Sequence, residues 1–391
     1  MVKSATMYSY ELDSPEAAIQ DIKTQLKGVQ LLKNSVGILM CDPEFIETGV
    51  YAAVSESLPF PVVGTTTMTQ AVNGQAGMFM LTVMVLTSDD AFFETGYTEE
   101  LSGGCDIAAL SKAAYQGAAA KLPEKAKLIF AFPPLIPDVA GDQYVDAFEA
   151  LCPGTPVFGT LAVDDSITFS HSFTFHSGES SKTRMGFILA AGNISPRFLI
   201  ATMSDDNKLP YTGEITRSEG PFLKEINNVL TKNYFESIGF AKDGKLDEGL
   251  QFVPFLIDFK KRADYDGVPV VRALIHLDEN GYGICRGYMY ENSIFTITNP
   301  SKEDVLKTSL ELMDKLDAAE ERQATIIFSC VVRRMLCTTE PLAEARMISD
   351  KLSPGSPFML AYAGGEICPT SSTAAQVTNR FHNYSIIACV L

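Results

Sequence analysis

The stretch "LCPGTPVFGTLAVDD", Leu151 to Asp165, decides how the chain is read, because its phrasing returns as "LSPGSPFMLAYAGGE", Leu352 to Glu366. Each copy writes Leu-x-Pro-Gly-Thr/Ser-Pro, an apolar run and then a carboxylate. A looser copy, "LPFPVVGTTTMTQ", spans Leu58 to Gln70. With Pro61, Pro156 and Pro357 aligned, Gln70, Asp165 and Glu366 fall in register without a gap. Pro-Gly stops a helix, and the next proline enters a strand where its missing N–H does no harm. The phrase therefore reads as the helix-to-strand joint of a repeated unit.

Working outward, the neighbouring segments repeat in one order. An amphipathic helix comes first: Ser14 and Pro15 open one that carries Ile19, Ile22 and Leu26 on one face. Its counterparts are 105–121 and 301–316, where Ser301 and Asp304 resemble a capping box. Continuous apolar runs follow, "SVGILMC" at 35–41, "KLIFAFP" at 127–133 and "ATIIFSCVV" at 324–332, as expected of strands covered on both faces. A second helix is predicted near 44–57, 142–151 and 340–352, then the proline phrase and a second strand. This order predicts an α/β fold, with mixed sheets carrying packed helices, built from three related helix-strand-helix-strand modules in two domains. A hairpin is expected at Ser177-Gly178, a β-rich insertion turning at Glu279-Asn280-Gly281, and a closing strand in "FHNYSIIACVL". The polar stretch "SDDNKLPYTGE" suggests residues 1–204 as a first domain with two modules. Residues 205–391 would then hold the insertion and the third module.

Composition narrows the function. A hydrophobic content of 46% with 20% charged residues describes a folded chain. The net charge of −17 repels phosphate backbones and anionic lipid, so neither nucleic acid nor membrane is expected as a partner. No apolar run approaches a membrane span, and "MVKSATMYSYELDSPEAA" has no secretion-signal core. The eight cysteines form no Cys-x-x-Cys pair, which argues against a zinc site or a disulfide framework and for a cytoplasmic protein with reduced thiols.

With the joints located, the flanking residues resemble tandem FIST N-terminal and C-terminal domains. "FSCVVRR" at 328–334 is similar to a Phe-Ser-Cys-x-x-Arg strand end, and "AYAGGEI" at 361–367 to a Tyr-x-x-Gly-Glu-Ile phrase. "VVGTTTMTQA" at 62–71 and "VFGTLAVDD" at 157–165 carry the N-terminal resemblance. There Thr69 and Gln70 stand where Gly-Glu is usual, and Thr160 and Val163 replace glycines. The resemblance implies a sensory, small-ligand-binding module of bacterial signalling proteins, with amino acids as the usual proposed ligands. No fused output domain is expected, so a signal would pass to a separate partner or through domain closure.

Loops after strand ends form the ligand crevice of open α/β sheets. Asp164, Asp165 and Glu366 sit there, read either as turn residues or as carboxylates for an ammonium group. One of Arg333 and Arg334 is expected to turn inward, and Arg333 matches the family's arginine; its guanidinium fork suits a ligand carboxylate. Arg333 and Glu366 together would hold a zwitterion. Cys330, Tyr362, Gly64 and Thr66 complete the expected ligand-binding set, with Cys330 read as a buried thiol rather than a nucleophile. No catalytic residue, metal or cofactor is assigned. Two alternatives stand beside this reading. One is a haem-type nitric oxide sensor using a single axial histidine among His171, His176, His276 and His382. The other is a hydrolase working through Asp164, Asp165 and Glu366.

Overall fold

The three apolar runs form strands Asn34–Cys41, Leu128–Phe132 and Thr325–Cys330. Each lies parallel to the strand that follows its proline phrase, respectively Val62–Thr66, Val157–Thr160 and Phe358–Ala363. The computed structural model from which these elements are read describes residues 2–166, 169–203, 205–246, 253–259, 268–317, 322–352, 356–373 and 376–391. It is a mixed α/β protein.

Helices bridge each parallel pair. Gly141–Leu151 and Ala343–Leu352 do so in one piece, while the first bridge is split at Gly49 into Glu44–Glu47 and Val50–Ser57. The preceding helices are Pro15–Leu26, Ile107–Ala119 and Lys302–Asp317. Ser14 accepts the Ala17 N–H at 3.3 Å, and Ser301 and Asp304 exchange bonds as a capping pair.

Three six-stranded sheets share one strand order. In each, the first parallel strand has an antiparallel neighbour (Leu81–Ser88, Gly186–Gly192 or Ile386–Val390) and then an edge strand (Lys3–Ser9, Ala91–Tyr97 or Arg197–Ala201). The other edge is contributed from elsewhere in the chain. The hairpin Gln70–Val72/Gln75–Gly77 pairs with Phe358–Ala363. The hairpin Glu366–Thr373/Gln376–His382 pairs with Val157–Thr160. The hairpin Thr174–His176/Glu179–Ser181, turning at Ser177-Gly178, pairs with Val62–Thr66. The exchange closes into a ring, and each sheet completes the next.

Strand alternation fills the ring. Ile38, Met40, Phe130, Phe132, Ile326 and Phe328 point to a shared central core, while Leu39, Ile129 and Ile327 face the outer helices. Phe328 contacts both Phe132 (ring centroids 6.3 Å) and Phe158 (5.3 Å) across sheets. Gly64 belongs to this framework, since a Cβ there would lie 1.7 Å from Leu39 O.

A seven-stranded antiparallel sheet lies between Arg197–Ala201 and Lys302–Asp317 in the chain, with its own core around Phe255, Leu274 and Phe295. It turns at Asn280-Gly281, where the Gly281 N–H donates to Asp278 O. A buried ion pair ties it to the ring: Arg272 donates to Asp142 at 2.9 Å, at the start of helix Gly141–Leu151. Among the described residues, no helix is long and apolar enough to cross a membrane.

Candidate ligand site

Past Thr66, Thr160 and Ala363 the chain leaves its sheets, and the three connections bond to one another. The Tyr362 N–H donates to Thr69 O (3.1 Å), and the Thr67 hydroxyl to Tyr362 O. Val163 N–H donates to Thr66 O (3.2 Å); Leu161 and Gly364–Gly365 exchange two bonds of 3.0 Å. The three proline phrases, far apart in sequence, thus end at one hub. Leu256, Val271 and Ala273 of the seven-stranded sheet roof it over, packing with Met68, Leu135, Val163, Cys330 and Tyr384.

Below this roof the strand Thr325–Cys330 runs into a short helix, Val331–Leu336, whose first turn aims Arg333 inward. Arg333 is 2% exposed. Its Nη2 donates to Glu344 Oε1 at 2.7 Å and its Nε to the same oxygen at 3.1 Å. Nη2 also reaches Val305 O, Thr308 and Ser309. The other Glu344 oxygen accepts from Ser329 (3.0 Å) and Tyr362 (2.7 Å). This is a saturated buried ion pair, with the charge compensated and the lone pairs filled. Burial, and then the Glu344 charge, raise the Tyr362 hydroxyl well above its usual pKa, so it serves as a neutral donor.

Glu366 is different. The backbone turns into its strand at Gly365, whose φ of +133° only glycine adopts readily. Glu366 then lies between Thr160 on one neighbouring strand and His382 on the other, so the three side chains share a face. It is 0% exposed, and neither carboxylate oxygen has a hydrogen-bond partner among the described residues. The Ser385 amide and Cys330 thiol favour its ionised form from nearby, as does Arg333, but none closes a hydrogen bond to it. Burial outweighs them and holds the carboxyl well above its ordinary pKa. Beside it, the ring nitrogens of fully buried His382 and Oδ1 of Asn383 close no hydrogen bond among the described residues, although the Cys368 backbone lies near the ring. Burial first, then the Arg272 charge, push the His382 pKa down to about 3, so its ring is neutral. The corner is a cluster of enclosed polar groups that close no hydrogen bond among the described residues.

The FIST N domain matches residues 35–229 and the FIST C domain residues 229–369, in tandem. The chain belongs to the FIST-domain family. FIST domains are associated with sensory signal transduction. No curated protein matches the chain.

The FIST C part supplies Cys330, Arg333, Tyr362 and Glu366, which the fold brings to one end of the ring beside Thr66. Arg333, however, pairs with Glu344 rather than Glu366. Cys330 is buried, and burial and the Glu366 charge hold its thiol far above the usual pKa, which suits a packed thiol and not a nucleophile. Thr66 Oγ1 accepts the Phe173 N–H, pinning the connection that follows Asp164. Asp164 oxygens accept from the Ser166 (2.6 Å) and His171 (2.8 Å) amides, the turn arrangement. Asp165 is exposed, and Gly64 lies inside its strand, against Leu39. Of the histidines, His171 and His276 are exposed and His176 bonds Thr95 at 2.9 Å; only His382 is enclosed. No group of three or more His, Cys, Asp or Glu among the described residues is placed to hold a metal.

Glu344 and Asn383 were not picked out as site residues from sequence, and His382 was named only as a candidate haem ligand. Glu344 had a legible signal: it shares a helical stripe with Ala345, Ile348 and Leu352, a carboxylate on an apolar face. His382 and Asn383 lie in the closing stretch "FHNYSIIACVL", but their place near Glu366 had no legible signal, because it depends on a strand pairing.

Proposed function

We propose that this FIST protein is a sensory ligand-binding protein whose ligand is a small metabolite carrying an ammonium group, an amino acid or similar zwitterion, received by Glu366 at the hub. The observation that carries this reading is a fully buried carboxylate with two oxygens that no protein donor fills. Leaving such a group unpaired costs free energy that a native fold rarely tolerates without use. An ammonium group brings three donors, and Glu366, His382 and Asn383 offer acceptors. Arg333 contributes a fixed positive charge felt at Glu366, and its Nη1, in long contact (3.4 Å) with Tyr384 O, is its least committed arm for a ligand carboxylate. Because the roof of Leu256, Val271 and Ala273 covers the hub, entry requires it to lift. That movement would report occupancy to a separate signalling partner. A haem reading is less well supported, since the enclosed His382 offers no open face to a macrocycle.

Thermal-shift and calorimetric titration of the full chain with the twenty amino acids tests the reading. A hit should weaken sharply in Glu366→Gln. Burial favours the protonated form of Glu366 and an ammonium group favours the ionised form, so binding should be linked to proton release and affinity should rise with pH. Hits that persist in Glu366→Gln at unchanged affinity overturn the site.

A further inference from the structure

A second site lies outside the hub, between the segment Pro137–Ala140 that leads into helix Gly141–Leu151 and the face of the seven-stranded sheet. A cavity of about 230 Å³ opens there and joins a wider one of about 540 Å³ through shared Asp138, Pro221 and Phe222. Val139, Phe222, Ile275 and Ile284 form its apolar part, and Asp138, His276 and Asp278 line it as well. Phe222 is 40% exposed, a large aromatic surface with no packing partner over much of its area. Into the same cavity faces Arg286. Its backbone is fixed on both sides, with N–H donating to Ala273 O and C=O accepting from Gly141 N–H, each at 3.2 Å. Its guanidinium has no hydrogen bond or ion pair among the described residues. In a chain with 48 acidic and 31 basic residues, a half-buried arginine that closes no ion pair among the described residues is the exception. Burial alone lowers its pKa, with no carboxylate opposing.

We infer that this cavity binds a small monocarboxylate with an apolar or aromatic body, its carboxylate on Arg286 and its body against Phe222, Ile275 and Ile284. A guanidinium fork matches one carboxylate bidentately, and a partly desolvated arginine gains most from a counter-charge. Asp138 and Asp278, which also line the cavity, oppose any anion and a doubly charged phosphate more than a single carboxylate, so a monoanion whose apolar body packs on Phe222, Ile275 and Ile284 is favoured. The site is independent of the hub: it would remain if Glu366 had no ligand at all.

The test is calorimetric titration of the full chain with benzoate and butyrate, with inorganic phosphate, benzyl alcohol and benzylamine as controls. Benzoate should bind, and butyrate more weakly; the three controls should not. Arg286→Gln should weaken benzoate by about tenfold or more, the worth of one charge-assisted bond, with an unchanged unliganded Tm, and Glu366→Gln should leave benzoate binding intact. Phe222→Ala, a change at an exposed position, should weaken benzoate more than butyrate. The inference is overturned if benzoate does not bind, if benzylamine or benzyl alcohol binds as well as benzoate, or if Arg286→Gln binds benzoate like the unmodified chain.

Discussion

Glu344 and Glu366 are both fully buried at the same end of the ring, yet one is saturated and the other closes no hydrogen bond among the described residues. Glu344 receives Arg333, Ser309, Ser329 and Tyr362 and locks the last parallel pair to its helices. Glu366 receives no hydrogen bond of normal geometry from the described residues. A buried charge that is fully paired defines a structure, whereas a buried acceptor left open defines a place for something else. Gln70 sharpens the contrast. It occupies the corresponding position after the first proline phrase and is as deeply buried, but its amide donates to Met80 O and accepts from Thr82 at 2.5 Å. Where the chain needs only a folded corner it has an amide with both halves used; where we place the ligand it has a carboxylate.

The largest effect should come from breaking the saturated pair. Arg333→Ala leaves Glu344 charged, buried and without its cation, and should destabilise the fold by about 3–5 kcal/mol, measured by urea denaturation. Glu366→Gln, at similar depth, should cost little or stabilise the unliganded protein, because it removes a carboxyl that burial already disfavours when charged. If the two substitutions proved equally damaging, Glu366 would be structural after all.

Next in size is the swap of roles, Gln70→Glu. A carboxylate there would face Met80 O without a proton to donate, and should cost about 1–3 kcal/mol at neutral pH. The loss should shrink in acid, where the protonated carboxyl can donate again. Equal stability of Gln70→Glu and the unmodified chain at pH 8 would show that the first corner tolerates an unpartnered carboxylate too.

Asp42 gives a smaller, pH-dependent effect. Burial is the main cause raising its pKa to about 8, and Glu44 and Asp165 add to it. The folded state therefore keeps a proton that the unfolded chain releases near its ordinary pKa. Stability from this group is complete in acid and is lost as pH rises from there through about 8. Asp42→Asn should raise Tm by several degrees at pH 8 and have little effect at pH 4. A pH-independent shift would mean that lost packing, and not protonation, sets its contribution.

The ring itself was half legible. The apolar runs, the caps at Ser14 and Ser301 and the turns at Ser177-Gly178 and Asn280-Gly281 are local devices, so the sequence declares them. The exchange of hairpins among three sheets is not local. Nothing in "TQAVNGQAG" says that Gln70 will pair beside Ala361 rather than within its own sheet, since strand pairing depends on what the rest of the chain presents. The same limit hid the site. Arg333 turning inward was legible, but its partner was not: Glu366 was the carboxylate that the repeat singled out, while the acid that reached Arg333 lay on a helix whose register against the sheet only the packed structure sets. His382 comes beside Glu366 through one antiparallel register.

The smallest effect tests how far the correspondence of the three corners extends. Asp165 aligns with Gln70 and Glu366, but it is exposed, and its neighbour Asp164 instead holds the turn through Ser166 and His171. Asp165→Asn should change stability only slightly, through the loss of its weak charge effect on Asp42, and leave any amino-acid binding at its original affinity, both by calorimetry, because a solvated carboxylate outside the hub is largely screened by water. Asp164→Asn provides the reference beside it: an amide can accept only through one atom, so one of the two turn bonds is lost and Tm should fall modestly. A drop in ligand affinity for Asp165→Asn without a change in Tm would place the ligand across two corners of the ring and not within the enclosure around Glu366.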